Sequence, residues 1–283
     1  MITIAVLMTC HNRKATTLAS LGRLSAQSLP PLVRLDVFLT DDGSTDGTAE
    51  GVLANHPHVH VLNGDGTLYW TGGTLRSEGA ALRTKPDYLM WLNDDVQLDS
   101  SAVADLLDIA KRGAVAVGAL REPGTHSASY GGYHNSRPGI PFPQSRAEPM
   151  GEAQAIDTMN GNVVLFPVSV RRAGGALDPR LRHNMADMDY GLRCARAGVP
   201  LLLTPGFVGS CAGNPSKSGW GDPTTPLAER VRSVLSFRGL PPKQWLIFTR
   251  RHCGWRWPRY FVGPYLRTLL VGLRPGRVRP PAL

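Results

Sequence analysis

Three short apolar runs in the first hundred residues each break off into a polar cluster, and the stretches between them have helical spacing. Ile2–Met8 gives way to Thr9-Cys10-His11-Asn12-Arg13. Leu32–Leu39 ends in Thr40-Asp41-Asp42-Gly43-Ser44-Thr45-Asp46-Gly47, and Tyr88–Leu92 in Asn93-Asp94-Asp95. Such runs read as buried strands. Lys14–Gln27, with Leu18, Leu21 and Leu24, reads as a helix, as does Ser101–Lys111 with Val103, Leu106, Leu107 and Ala110. Further helices are expected at Thr48–Asn55, Leu75–Arg83 and Ala186–Ala197, the last closed by Gly198. Further strands are expected at Val59–Leu62, Val115–Leu120, Ala155–Phe166 and Leu201–Leu203.

This alternation implies an α/β fold with a mostly parallel central sheet flanked by helices. Right-handed crossovers put the C-terminal ends of parallel strands on one edge, where open α/β sheets bind ligands. The polar clusters would therefore meet there. Pro123–Pro149, rich in Gly, Pro, Ser and His, reads as a long active-site loop with little regular structure. At 283 residues and 42% hydrophobic, the chain suits one catalytic domain with an appendage. No apolar run reaches the ~18 residues of a membrane span, and Ile2–Met8 lacks the basic flank of a signal peptide. Four scattered cysteines, Cys10, Cys194, Cys211 and Cys253, suit free thiols in a reducing cytoplasm.

Each cluster offers chemistry alongside a structural role. In the Asp41–Gly47 turn, Asp41 or Asp42 can accept a hydrogen bond from the imide N–H of uracil or thymine, while Asp46 suits a helix cap. The oxygens of Asn93-Asp94-Asp95 suit Mg²⁺ or Mn²⁺ bridging a diphosphate, with Asp95 the first choice of ligand. The alternative for the same residues is an acidic turn ahead of a helix. Gly72 and Gly73 would let backbone N–H groups approach phosphate, and Arg76 would add positive charge. Asp187 and Asp189 are two apart at a helix start, so one can face a site while the other serves the fold. A carboxylate beside an acceptor hydroxyl could act as general base.

Taken in order, Thr9–Arg13, Asp41–Gly47, Tyr69–Gly73, Asn93–Asp95, Asn160-Gly161-Asn162 and Asp187–Arg193 resemble family 2 glycosyltransferases of the GT-A fold over residues 1–215. The resemblance implies a metal-dependent, inverting transfer from a UDP- or dTDP-sugar, with Mg²⁺ or Mn²⁺ as cofactor. Residues 1–120 would bind the nucleotide-sugar and 121–215 would form the acceptor side. Thr9, His11, Arg13, Asp41, Asp42, Trp70, Gly72, Gly73, Arg76, Asn93, Asp94, Asn160 and Gly161 inherit donor-binding roles. Asp95 inherits the metal, and Asp187 the general base with Asp189 as runner-up. Many relatives carry a further metal-binding His where this chain has Gly209-Ser210-Cys211-Ala212-Gly213.

Residues 216–283 read as a helical extension. Between Arg230 and Leu283 lie twelve Lys and Arg and no Asp or Glu, which exceeds the whole chain's net charge of +9. The basic character therefore belongs to the tail. Aromatic residues interleaved with arginines suit an anionic membrane surface, and the resemblance implies a glycan or polyprenyl-linked glycan acceptor in bacterial surface polysaccharide or glycolipid assembly. The expected location is the cytoplasm, peripheral on the inner face of the plasma membrane, with no nucleic-acid partner. Two other readings compete. A sugar-1-phosphate nucleotidyltransferase would need a Gly-rich basic loop after the first strand, which Thr9–Arg13 lacks. A non-enzymatic basic module for membrane or nucleic acid would leave the strand-end carboxylates unused.

Overall fold

The computed structural model describes residues 1–137, 140–183, 185–213 and 219–271. They fall into two compact units. One comprises Met1–Tyr133, Arg146–Arg182 and Ala186–Gly213, and the other the described residues of His134–Ser145, His183–Met185 and Asn214–Leu283.

The first unit starts with β1 (Ile2–Cys10), α1 (Lys14–Ser25), β2 (Val33–Asp41), α2 (Thr48–Asn55), β3 (His60–Asn63), α3 (Tyr69–Ala81) and β4 (Tyr88–Leu92). β1 lies between β2 and β4, all parallel, and β3 extends the sheet beside β2. Ile4, Val6 and Met8 join the core with Leu21 and Leu24 of α1, while Ala5 and Leu7 on the opposite face are just as buried. Burial on both faces is why Ile4–Met8 and β4 are near-continuous apolar runs, whereas β2 carries Arg34 and Asp36 in its less buried first half. The parallel register sets Cys10 beside Asp41 and Leu7 beside Trp91, so the three polar clusters leave the sheet at one edge.

Next along the chain come β5 (Gln97–Leu98), α4 (Ala102–Ala110), β6 (Val115–Arg121), β7 (Ala128–Tyr130), β8 (Gly132–Arg137), β9 (Ile140–Arg146), β10 (Gln154–Ala155), β11 (Thr158–Met159) and β12 (Val163–Pro167), with most of β8 and β9 belonging to the second unit. α5 (Val168–Gly174), α6 (Ala186–Arg196) and β13 (Leu201–Ser210) follow. The sheet order is β10-β13-β6-β12-β4-β1-β2-β3. β12 runs antiparallel between β4 and β6, and β6 pairs with β13 in parallel.

Three expectations need correction. Pro123–Pro149 is not irregular: β7 pairs antiparallel with β6, and β8 and β9 follow. Pairing with an existing strand overrides the loop-like composition. Ala155–Phe166 is not one strand but spans three short ones, broken at Ile156-Asp157 and at Asn160–Asn162. The third helix starts at Tyr69 rather than Leu75, because its glycines are packing residues and not a loop.

In the second unit, α7 (Leu227–Leu235), α8 (Pro242–His252) and α9 (Trp257–Leu270) pack around buried Trp245 and Phe248. The Trp245 indole N–H donates to the Tyr260 carbonyl at 3.1 Å, and the Tyr265 hydroxyl to that of Leu240 at 2.7 Å. Among the described residues no helix is long and apolar enough to cross a membrane.

Candidate active site

The turns after β1 and β2 are stitched together. The Asn12 N–H donates to Ser44 Oγ at 2.8 Å, and Asn12 Oδ1 accepts the Thr45 N–H at 2.7 Å. His11 Nδ1 is 2.7 Å from the Asp42 carbonyl, to which it donates. Asp46 accepts the N–H groups of Lys14 and Thr48, each at 3.0 Å, which makes it a structural cap. Asp42 commits both oxygens to the next loop, accepting the Gly66 and Tyr69 N–H groups at 2.9 Å each. That grip holds Tyr69 at φ 54, an unusual conformation for a bulky residue, just where α3 begins. Asp41 accepts the Ser44 N–H at 2.9 Å through Oδ1.

After β4, Asn93 Oδ1 accepts the Trp70 indole N–H at 2.8 Å. Arg13 Nη1 reaches Asp94 Oδ1 and Asp95 Oδ2, both at 2.9 Å. Asp94 is buried, and its Oδ2 has no partner among the described residues. Burial pushes its pKa up to about 6 despite Arg13, with Asp95 adding repulsion. The two carboxylates hold the Arg13 guanidinium well above its usual value, outweighing its desolvation. Asp95 is half-buried, and the Cys211 thiol lies 3.5 Å from its Oδ1. Burial and Asp95 both raise the Cys211 pKa, so the thiol stays neutral.

Facing this cluster, the Gly161 N–H donates to Asp187 Oδ2, and the Met188 N–H to Asp187 Oδ1, each at 2.9 Å. Burial raises the Asp187 pKa, and these backbone bonds and Asn160 only partly oppose it. The Tyr133 hydroxyl donates to Asn160 Oδ1 at 2.9 Å. A Cβ on Gly161 would lie 2.5 Å from a Trp70 ring carbon and 3.2 Å from Asp187 Cβ, so only glycine fits between donor-side ring and carboxylate. Beneath them Trp91 meets Trp70 edge-on at 5.6 Å and Tyr190 at 4.9 Å. Asp189, by contrast, is fully buried and bonded to Arg193 Nε at 2.9 Å, and Arg193 also donates to the Gly174 and Ala176 carbonyls.

The glycosyl transferase family 2 profile matches residues 5–166, more than half of the chain and most of this site. The chain belongs to glycosyltransferase family 2. An N-acetylglucosaminyl-diphospho-decaprenol L-rhamnosyltransferase of Mycobacterium tuberculosis is 26% identical over 260 residues, covering 82% of this chain and 80% of its own. Among solved structures, GalNAc-T7 with UDP, GalNAc and Mn²⁺ superposes with a TM-score of 0.59 at 17% identity, over 83% of this chain and 48% of its own. S. aureus TarS does so at 0.55 and 12% identity, over 90% of this chain and 44% of its own. This chain thus spans less than half the length of either protein. These likenesses establish the GT-A fold.

Two donor-side expectations for this glycosyltransferase fail on geometry. Gly72 lies inside α3 with its N–H bonded to the Leu68 carbonyl at 3.0 Å, so it is not a phosphate donor. Gly73 packs against the Thr9 side chain, leaving no room for a Cβ; close approach of α3 to β1 is its role. Arg76 is on the same helix and exposed, and its charge is felt by Asp65. Of the two candidate bases, Asp189 belongs to the fold through Arg193.

Among the described residues no group of three or more His, Cys, Asp or Glu side chains could hold a metal ion. The donor set fits a cation held largely by substrate. Asp95 offers a half-exposed carboxylate, and Mg²⁺ or Mn²⁺ can be bound by one carboxylate with phosphate oxygens and water completing the shell. A neutral, buried thiol such as Cys211 is a poor ligand for it.

Tyr133 escapes sequence reasoning because it falls in the stretch that reads as loop. The only signal is its place beside the glycine pair Gly131-Gly132, where Gly132 packs on Ile156.

Proposed function

We propose that this family 2 glycosyltransferase moves a sugar, with inversion, from a UDP- or dTDP-sugar to a hydroxyl of a glycan or polyprenyl-linked glycan. Residues 1–215 would carry the transfer. What supports the reading most is Asp187: a carboxylate held by two backbone N–H groups, raised in pKa, and separated only by Gly161 from the Trp70–Asn93 pair.

In this reading the acceptor oxygen attacks the anomeric carbon and its proton passes to Asp187. The new C–O bond forms as the bond to the phosphate oxygen breaks, and the nucleoside diphosphate leaves with the electron pair. Asp41 is the better partner for the base, because both oxygens of Asp42 are engaged by backbone N–H groups. Trp70 and Asn93 would line the sugar, and Tyr133 would fix Asn160. Mg²⁺ or Mn²⁺, held by Asp95 and the diphosphate, would neutralise charge on the leaving group. The mycobacterial relative is named for transfer to a diphospho-decaprenol carrier, which supports a lipid-linked acceptor here and a peripheral position at the inner face of the plasma membrane. Family membership sets aside the nucleotidyltransferase and the non-enzymatic module.

Calorimetric titration of UDP, dTDP and GDP with and without Mn²⁺ tests the donor site. Metal-enhanced binding of a uridine or thymidine diphosphate is expected. Absence of binding by all three would overturn the reading.

A further inference from the structure

α9 is amphipathic, but its apolar residues are not confined to the packed side. Val262, Leu266, Leu269 and Leu270 are exposed, about one helical turn apart, with Arg259 and Arg267 among them. Trp255, just ahead of the helix, is 83% exposed, with the Arg256 guanidinium 5.1 Å from its ring centre. Four exposed aliphatic side chains on one helix form a patch that water alone does not favour.

An apolar groove of about 360 Å³ is continuous with this face. Val231, Val234 and Leu235 of α7 and Phe261, Tyr265 and Leu269 of α9 form its walls. Its polar lining atoms are turned to internal partners: the Tyr265 hydroxyl donates to the Leu240 carbonyl, and the Thr268 hydroxyl to that of Pro264 at 2.9 Å. Leu235 and Leu269 stand half exposed at the rim.

Charge selects what covers the face. From Arg230 onward the chain has twelve Lys and Arg and no acid; among the described residues exposed Arg256, Arg259 and Arg267 lie in or next to α9, and Glu229 is the one acid on α7. A second copy of the same face would set those cations against each other. A neutral apolar partner would offer those cations no counter-charge. An anionic bilayer answers both features, accepting apolar side chains among its acyl chains and arginines among its phosphates. At 14 residues α9 is about 21 Å long, too short to span the core but suited to lying along the interface.

We propose that α9 lies in the plane of an anionic lipid bilayer, with Val262, Leu266, Leu269, Leu270 and Trp255 inserted and the arginines at the headgroups. The proposal rests on the membrane part of the reading above and is independent of its transfer chemistry.

The test is co-sedimentation of the full chain with vesicles of phosphatidylcholine alone or with one-third phosphatidylglycerol, at low and high salt. Binding to the anionic vesicles is expected, at least tenfold stronger than to the neutral ones and weakened by salt. Leu266→Glu with Leu270→Glu should abolish it, and Arg259→Gln with Arg267→Gln should weaken it severalfold. All four positions are exposed, and an unchanged circular dichroism melt with unchanged UDP binding separates membrane loss from misfolding or donor-site loss. Absence of binding, or equal binding to neutral vesicles, overturns the proposal. So does a dimer in light scattering that Leu266→Glu converts to monomer, since the face would then serve self-association.

Discussion

The backbone N–H of Gly161 donates to Asp187 Oδ2 at 2.9 Å, which ties the turn between β11 and β12 to the first turn of α6. The bond fixes the carboxylate from a residue that has no side chain to block it. Asp187 can thus be held and still face Trp70.

Asp187→Asn should lower kcat by about 10²–10⁴ while leaving UDP affinity unchanged, because the nucleotide end is built from other strands. The wild-type pH profile carries the sign. The carboxylate form accepts the proton, and burial raises its pKa above the usual 3.8. Transfer should fall as pH drops through that raised value, so the acid limb of kcat/KM lies above the range of an exposed carboxylate. Steady-state rates between pH 4 and 8 check this. An Asn variant that retains wild-type turnover sinks the base assignment.

Gly161→Ala places a methyl group 2.5 and 2.7 Å from two Trp70 ring carbons. The indole must move, and the hydrogen bond from its N–H to Asn93 is the first to break. Overpacking of this kind costs about 1–3 kcal/mol, readable by urea unfolding. Turnover should fall as well, with UDP affinity holding within about twofold. Wild-type stability and rate together would show that the turn yields to a methyl group without disturbing Trp70.

Asp95→Asn should remove the Mn²⁺ enhancement of UDP binding without loosening the fold, since its side chain is partly exposed. The same loss should follow chelation of the wild type with EDTA. Calorimetry with and without Mn²⁺ reads both. An unchanged Mn²⁺ response in the variant would move the cation away from Asp95, with Asp94 Oδ2, which has no partner among the described residues, the next donor to test.

What the sequence makes legible is set by how local each signal is. The strand ends and their acidic turns are legible because burial on both faces of β1 and β4, and of the second half of β2, leaves apolar stretches that stop where the sheet stops. Asp46 is legible as a cap because its partners, Lys14 and Thr48, begin helices whose spacing is plain. The start of α3 is not legible. Gly72-Gly73 reads as a loop, and the reason for Gly73 is Thr9, more than sixty residues away. The β7–β9 stretch fails for the same reason, since β7 is ordered by pairing with β6, and β8 by pairing with β9 and β11 in a separate sheet, not by its own composition. Asp187 and Asp189 look alike in the chain. They separate when Gly161, from the turn between β11 and β12, takes Asp187 and Arg193, four residues on in the same helix, takes Asp189.

Asp41 and Asp42 look just as alike, and their variants should separate them. Asp42 accepts the Gly66 and Tyr69 N–H groups and thereby anchors the loop from β3 into α3. Asp42→Ala leaves both donors unpaired and frees Tyr69 from its strained backbone. Hydrogen bonds to a charged group contribute about 1.5–3 kcal/mol each, so a clear loss of stability in urea is expected. Asp41→Ala gives up the bond from the Ser44 N–H. If Asp41 holds the base, its loss should weaken UDP binding tenfold or more, with a smaller change in stability than Asp42→Ala. Asp41→Asn should also fail, because its amide can present a donor to the imide N–H where an acceptor is needed. Equal UDP affinity in Asp41→Ala and wild type would return the base-binding role to Asp42 and require the β3–α3 loop to open when nucleotide binds.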